Sequence, residues 1–472
     1  MNFICIFSNL NVCLIRIPFV KNIRFSPAFT ARCLLLGCLI LTQAGCQQLF
    51  HAQDAPLKGQ TVTVSMTVPQ PPPPAAKPLQ QGSEQPVPQK NPQSPLDSRL
   101  LPTETSLHTD PLAIRNQVDV PATSQSKPAR AVIDKAGTVL VNKTVAEDMV
   151  LRGTVLIKGA LVVAPQATLR IDPGTRILFA SAPGSAELSR LVVQGRIVAN
   201  GTLQQPILFA PALNQPLAGD WGGVVLLNSE KKNSFDHCRI EGAQTGIEAH
   251  FSRFSGRGVM VTKSRTGIAL YDSEAGLQGC SISRCDRGGR LADSELDLRD
   301  STLQENRQGI DAQRSSFTLS SVKVLNNSQE GVAADQCRFR LTSSQFVENR
   351  SGLRLTGGDG QLFLCRFSQN RESGAELVGV RVRISNSSFI QNSGVGILLE
   401  NARGSVVGSV FSDNRAGNLQ NRGSEPFAAL LNWWGSADEK QILAGIHDPE
   451  RKNDTALILF APFLKERPVT AP

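Results

Sequence analysis

Nine glycines recur at nearly equal intervals in the second half of this 472-residue chain: Gly246, Gly267, Gly289, Gly309, Gly331, Gly352, Gly374, Gly396 and Gly417. The intervals are 21, 22, 20, 22, 21, 22, 22 and 21 residues. Each glycine precedes an apolar-x-apolar pair, and no repeat has room for a helix. Such a period excludes ordinary α/β organisation and selects a solenoid in which each coil buries the apolar faces of its neighbours.

Three further positions keep the same period. Phe346, Phe367, Phe389 and Phe411 stand six or seven residues before the glycine, and pairs such as Leu353/Leu355 and Ile397/Leu399 follow it. Coils stack about 4.8 Å apart, so each position becomes an inward column. Asn306, Asn327, Asn349, Asn370, Asn392 and Asn414 form another column, with Ala243, Ser264 and Cys285 near that place in earlier coils. Asparagine tolerates a left-handed turn and its amide bonds to the same amide one coil away, so these six are read as a structural ladder. The glycine is read as the residue that turns the chain.

Cys238, Cys280 and Cys365 share one column. The closest two are two coils apart, roughly 9–10 Å, beyond disulfide reach. Free buried thiols are expected, and metal binding by them is disfavoured by the same spacing.

The front of the chain has a different texture. "CLLLGCLILTQAGC", residues 33–46, is an apolar run of signal-peptide length after Lys21, Arg24 and Arg32. Ala44-Gly45-Cys46 resembles the end of the lipobox of bacterial lipoproteins, although Gln43 replaces the usual Leu. The resemblance implies cleavage before Cys46 and its acylation, hence an exported protein held by lipid at the cell envelope, at the outer membrane. Residues 46–131 are polar and Pro-rich and read as a disordered tether. Strand signals begin after it. The expected divisions are a signal peptide over 1–45, the tether over 46–131, N-terminal coils over 132–234, regular coils over 235–425 and a cap over 426–472.

These coils resemble the right-handed parallel β-helix proteins of the pectin-lyase-like superfamily, with PbH1-type repeats. The resemblance extends back through "LRIDPGTRILF" and "GDWGGVVL" and forward into "NWWGSADEKQI". It implies an all-β right-handed parallel β-helix solenoid of about 21–22 residues per coil with a short C-terminal capping helix. Ser436 and Glu439 have capping-box spacing for that helix.

Superfamily enzymes cleave or epimerise acidic polysaccharides, but the segments that carry polygalacturonase-like hydrolysis are missing. The run that marks alginate C5-epimerases is also missing; the sole tyrosine, Tyr271, sits in "ALYDSE". A calcium-dependent lyase needs only carboxylates on neighbouring coils and a basic residue, which Asp272 and Asp293 with Arg265, Arg287 and Arg290 would supply; Ca2+ is expected under that alternative alone, and otherwise no cofactor. A metal-delivery accessory of nitrous oxide reductase maturation is a third class on this fold, and it lacks a Met or His cluster here.

A more regular feature is the arginine that follows the ladder asparagine: Arg307, Arg350, Arg371 and Arg415. They are read as a cationic edge suited to carboxylates or sulfates. Loss of residues 1–45 lowers the formal charge from +9 to +5. That balance suits an acidic polysaccharide or an envelope protein as partner. No compact basic run with interleaved aromatics calls for nucleic acid. The expected protein is a monomeric, non-catalytic binding solenoid, with a polysaccharide lyase as the alternative.

Overall fold

A computed structural model describes residues 137–180, 187–229, 231–448 and 457–468. All of them belong to a unit spanning Gln117–Pro472. The signal peptide, Cys46 and the tether lie outside the described residues.

Every strand pairing among the described residues is parallel, and the strands make two sheets of 25 and 14 members. A regular coil gives one strand to the smaller sheet and two to the larger. Glu274–Gln278, then Ser281–Ser283 and Arg287–Ala292 form one such coil, and each pairs with its counterpart 21 residues on. Side chains alternate inward and outward along each strand. The inward set makes one continuous apolar core from Leu140 to Ile458. Its most regular column is aromatic: Phe346, Phe367, Phe389, Phe411 and Trp434 stack face to face with centroids 4.6–5.1 Å apart. The fold is a parallel β-helix.

The corners hold a rule that the sequence conceals. The ladder asparagines themselves are not left-handed; the residue before each one is, at Glu305, Asn326, Glu348, Gln369, Gln391 and Asp413. The other two corners repeat the device, as at Asp300 before Ser301 and Asp272 before Ser273. A left-handed residue turns the strand direction, and the next side chain then points into the coil. There it accepts a hydrogen bond from the backbone N–H one coil back: Asn349 Oδ1 from Asn327, Asn370 Oδ1 from Asn349, Asn392 Oδ1 from Asn370. Ser273, Ser294 and Ser315 do the same at another corner.

All five described cysteines occupy such corner positions and are free. Cys337 Sγ accepts from Ser315 N–H at 3.4 Å where its neighbours use a serine hydroxyl. Burial pushes the thiols of Cys280, Cys285 and Cys365 up to about 11.

The repeating glycine has a different task from turning the chain. Gly246, Gly267, Gly288, Gly309, Gly331, Gly352, Gly374 and Gly396 form one column, and none has a positive φ. A Cβ on Gly352 would lie 2.5 Å from the carbonyl oxygen of Gly374, and the same clash recurs along the column. Close stacking of successive coils requires glycine here. Gly289 and Gly417 are each one residue off this register; Gly288 and Asn418 hold the equivalent places.

The C-terminal segment both extends and closes the solenoid. Ile446–His447 pairs with Leu419–Gln420 and Ile458–Leu459 with Phe427–Ala428. The helix Glu439–Ala444 buries Ile442. Its cap is Asp438, whose side chain accepts from Lys440 N–H; Ser436 instead accepts from Asp438 N–H. The capping-box expectation is corrected accordingly: a shorter Asp cap forms first.

Candidate functional site

The arginine edge is mostly engaged with the protein itself. Arg350 Nε lies 2.8 Å from Glu372, Arg307 donates to Gln329 at 2.7 Å, and Arg371 donates to the backbone carbonyl of Asn327 at 2.9 Å. Arg415 is exposed.

Asp272 and Asp293 do occupy the same corner of adjacent coils, both left-handed. Two of the three arginines expected beside them are used elsewhere: Arg287 faces Asp311 at 3.3 Å and Arg290 lies over the Tyr271 ring at 5.9 Å. It is Arg314, one coil further, that closes on Asp293 with two bonds of 2.8 and 2.5 Å. That fork holds the Asp293 carboxyl below the usual range.

A second cluster was not assembled from sequence. His250 Nε2 meets Glu248 at 2.7 Å, and its ring stacks on Tyr271 at 4.7 Å. The signal was available, since His250 and Tyr271 are one period apart.

The outer face of the 14-stranded sheet has the clearest charge pattern. In its N-terminal part a groove of about 520 Å³ runs over Ser255, Gly276 and Asp297. Two of its arginines are ion-paired, Arg257 with Asp236 at 3.1 Å and Arg299 with Asp297 at 2.6 Å, and Arg196 donates to the carbonyl of Lys232. Further along, strands Arg338–Thr342, Asp359–Phe363 and Arg381–Ser385 lie side by side. In register they set Arg338, Asp359 and Arg381 in one outward row and Arg340, Gln361 and Arg383 in the next. Among the described residues, none of the four arginines has a side-chain hydrogen bond or ion pair. Phe363, 42% exposed, borders a depression of about 160 Å³ lined by Arg340, Gln361 and Arg383. Sequence reading missed this row because its arginines lie outside the glycine-centred motif.

This geometry defines a parallel β-helix protein with a cationic sheet face. Two family models match parts of the chain: the one described as pectate-lyase like beta helix domain matches residues 112–255, and that of the periplasmic copper-binding protein NosD matches residues 213–376. No curated protein matches the chain. Among solved structures, a variant of the periplasmic alginate epimerase AlgG is 13% identical, with 61% of this chain and 78% of that one covered and a TM-score of 0.43. The A-module of the Azotobacter vinelandii mannuronan C-5 epimerase AlgE4 is 10% identical, covering 66% and 91%, at 0.34. Pectate lyase Pel9A is 12% identical, covering 54% and 70%, at 0.29.

The NosD description brings copper with it, and the donors among the described residues do not fit that ion. Among the described residues no three His, Cys, Asp or Glu side chains gather where they would hold a metal. Three of the soft donors are committed: Cys280, Cys285 and Cys365 are buried at corners, protonated, with their sulfurs on backbone carbonyls. His250 is bound to Glu248.

Proposed function

We propose that this protein is an exported, envelope-associated β-helix that holds an anionic polymer against the outer face of its 14-stranded sheet, without catalysis. The observation that carries this reading is the set of four unpaired, exposed guanidinium groups, Arg338, Arg340, Arg381 and Arg383, on three adjacent coils. Arginine forks bind carboxylate, sulfate and phosphate in two-point contacts. The fixed register of the sheet sets the spacing of the positions from which they project. Export rests on the signal-like run ending at Cys46, which acts as the acylated anchor, and agrees with the periplasmic family matched by residues 213–376.

The test compares two alanine variants for binding to immobilised polygalacturonate, hyaluronan and polyphosphate across a salt series. Replacing the four sheet arginines should weaken binding roughly tenfold or more and flatten the salt dependence. Replacing Arg307, Arg350 and Arg415 should change it about twofold at most. Loss in the second variant with retention in the first would overturn the reading. So would turnover of any polymer that disappears on Asp272→Asn or Asp293→Asn, which would install the lyase alternative.

A further inference from the structure

The row of unpaired arginines is not uniform, and its interruption carries information about the ligand. Arg338 and Arg381 flank Asp359 in one row, and Arg340 and Arg383 flank Gln361 in the next. Across these three coils positive charge falls on the outer two, and the coil between offers a carboxylate, an amide and the exposed ring of Phe363; on the next coil Arg403 lies beside Arg381 but is paired with Glu425. Coils rise about 4.8 Å each, close to the length of one sugar residue along a glycan chain. A glycan lying along the solenoid axis therefore meets one coil per sugar.

From this register we infer that the ligand is a glycan in which acidic and uncharged sugars alternate, bound along the axis, an inference that rests on the anionic-polymer reading above. Acidic sugars lie over the coils of Arg338/Arg340 and Arg381/Arg383. The sugar between them lies over Gln361 and Phe363. An amide donates to and accepts from hydroxyl or acetamido groups, and an exposed aromatic ring covers the apolar C–H face of a sugar. A carboxylate on that middle sugar would face Asp359, and like charges at such distances repel. The same repulsion acts against polyphosphate, whose charges are too closely spaced to skip a coil. The middle coil therefore selects, and the outer coils hold.

The test uses the full chain with three probes matched in total charge: hyaluronan oligosaccharides, in which one sugar in two is acidic; oligogalacturonate, in which every sugar is; and linear polyphosphate. Hyaluronan oligosaccharides should bind tightest. Asp359→Asn should raise affinity for oligogalacturonate and polyphosphate by about three- to tenfold and leave hyaluronan within twofold. Phe363→Ala should weaken hyaluronan by about fivefold or more and leave polyphosphate unchanged. Asp359, Phe363 and the four arginines all face outward, and unchanged thermal unfolding checks that each variant folds. If the four-arginine variant retains all three probes, the anionic-polymer reading fails. If it loses all three but Asp359→Asn and Phe363→Ala leave the order of probes as it was, or oligogalacturonate binds best from the start, the alternating-glycan inference alone is overturned.

Discussion

Arg371 reaches across two coils to donate from Nη2 to the backbone carbonyl of Asn327, 2.9 Å away and 44 residues earlier. Arg371, which follows a ladder asparagine, is thus a clip on the corner rather than a free charge. Its neighbour Asn370 is fully buried, donates to Phe346 O and Asn392 Oδ1, and accepts from Asn349 N–H. Asn370→Ala leaves several of these groups unpaired and should cost about 1–3 kcal/mol. Arg371→Ala removes one partly exposed bond and should cost roughly 1 kcal/mol or less. Urea denaturation of both variants measures the difference, and equal losses would contradict the ladder's role.

The glycine column should tolerate no side chain. Gly352→Ala places a methyl 2.5 Å from Gly374 O and 3.0 Å from the Phe367 ring. Backbone must move to admit it, and a loss of roughly 1–3 kcal/mol is expected in the same denaturation experiment.

Gly289 should behave oppositely, although it lies in the same series when the sequence is counted. A Cβ there meets Ile310 at 3.5 Å, ordinary contact, in an apolar space lined by Ile268, Leu277 and Leu291. Gly289→Ala should raise stability by about 0.5–1 kcal/mol, mainly by narrowing the unfolded chain's freedom.

The buried thiols set an alkaline limit. Cys280, Cys285 and Cys365 keep their protons up to about 11 in the folded chain, because burial disfavours the thiolate, against an ordinary value of 9.0. Between those values the unfolded chain has released protons that the native state retains, so stability falls as pH rises. The slope is about 1.4 kcal/mol per pH unit for each thiol. Changing all three to serine, the residue at Ser264, Ser301 and Ser387 in equivalent corners, should shallow the fall. Denaturation midpoints from pH 8 to 11 report it.

The solenoid was legible in the sequence because stacking repeats its demands every 21 or 22 residues: Phe over Phe, Asn over Asn, glycine under a carbonyl. What sequence concealed were features with no fixed residue type. The left-handed corner positions hold Phe251, Arg284, Glu348, Leu364 and Gln369 as readily as asparagine, because the side chain there faces outward and only the backbone is constrained. Outer-face charge was concealed for a related reason. Whether Arg350 is free depends on Glu372, one coil away, and whether Arg340 is free depends on Gln361 not being an acid. Reading the chain in columns one period apart recovers such pairs; reading along it does not.

Along the asparagine column each Oδ1 accepts from the backbone N–H of the coil before it, while each Nδ2 donates back to a carbonyl of that coil, until Asn414 Nδ2 also donates to Asn418 Oδ1 and Asn418 Nδ2 to the carbonyl of Trp434. In this column each coil therefore presents to its successor the same socket that its predecessor presented to it. Excising the 22 residues from Ser351 to Glu372 would bring Arg350 against Ser373 with Asn349 set before Asn392 and Phe346 against Phe389, so the asparagine and phenylalanine columns allow the length of this protein to change in whole turns. Duplication or loss of a single repeat would lengthen or shorten the outer face without disturbing its ends, giving evolution a ruler whose smallest division is one coil.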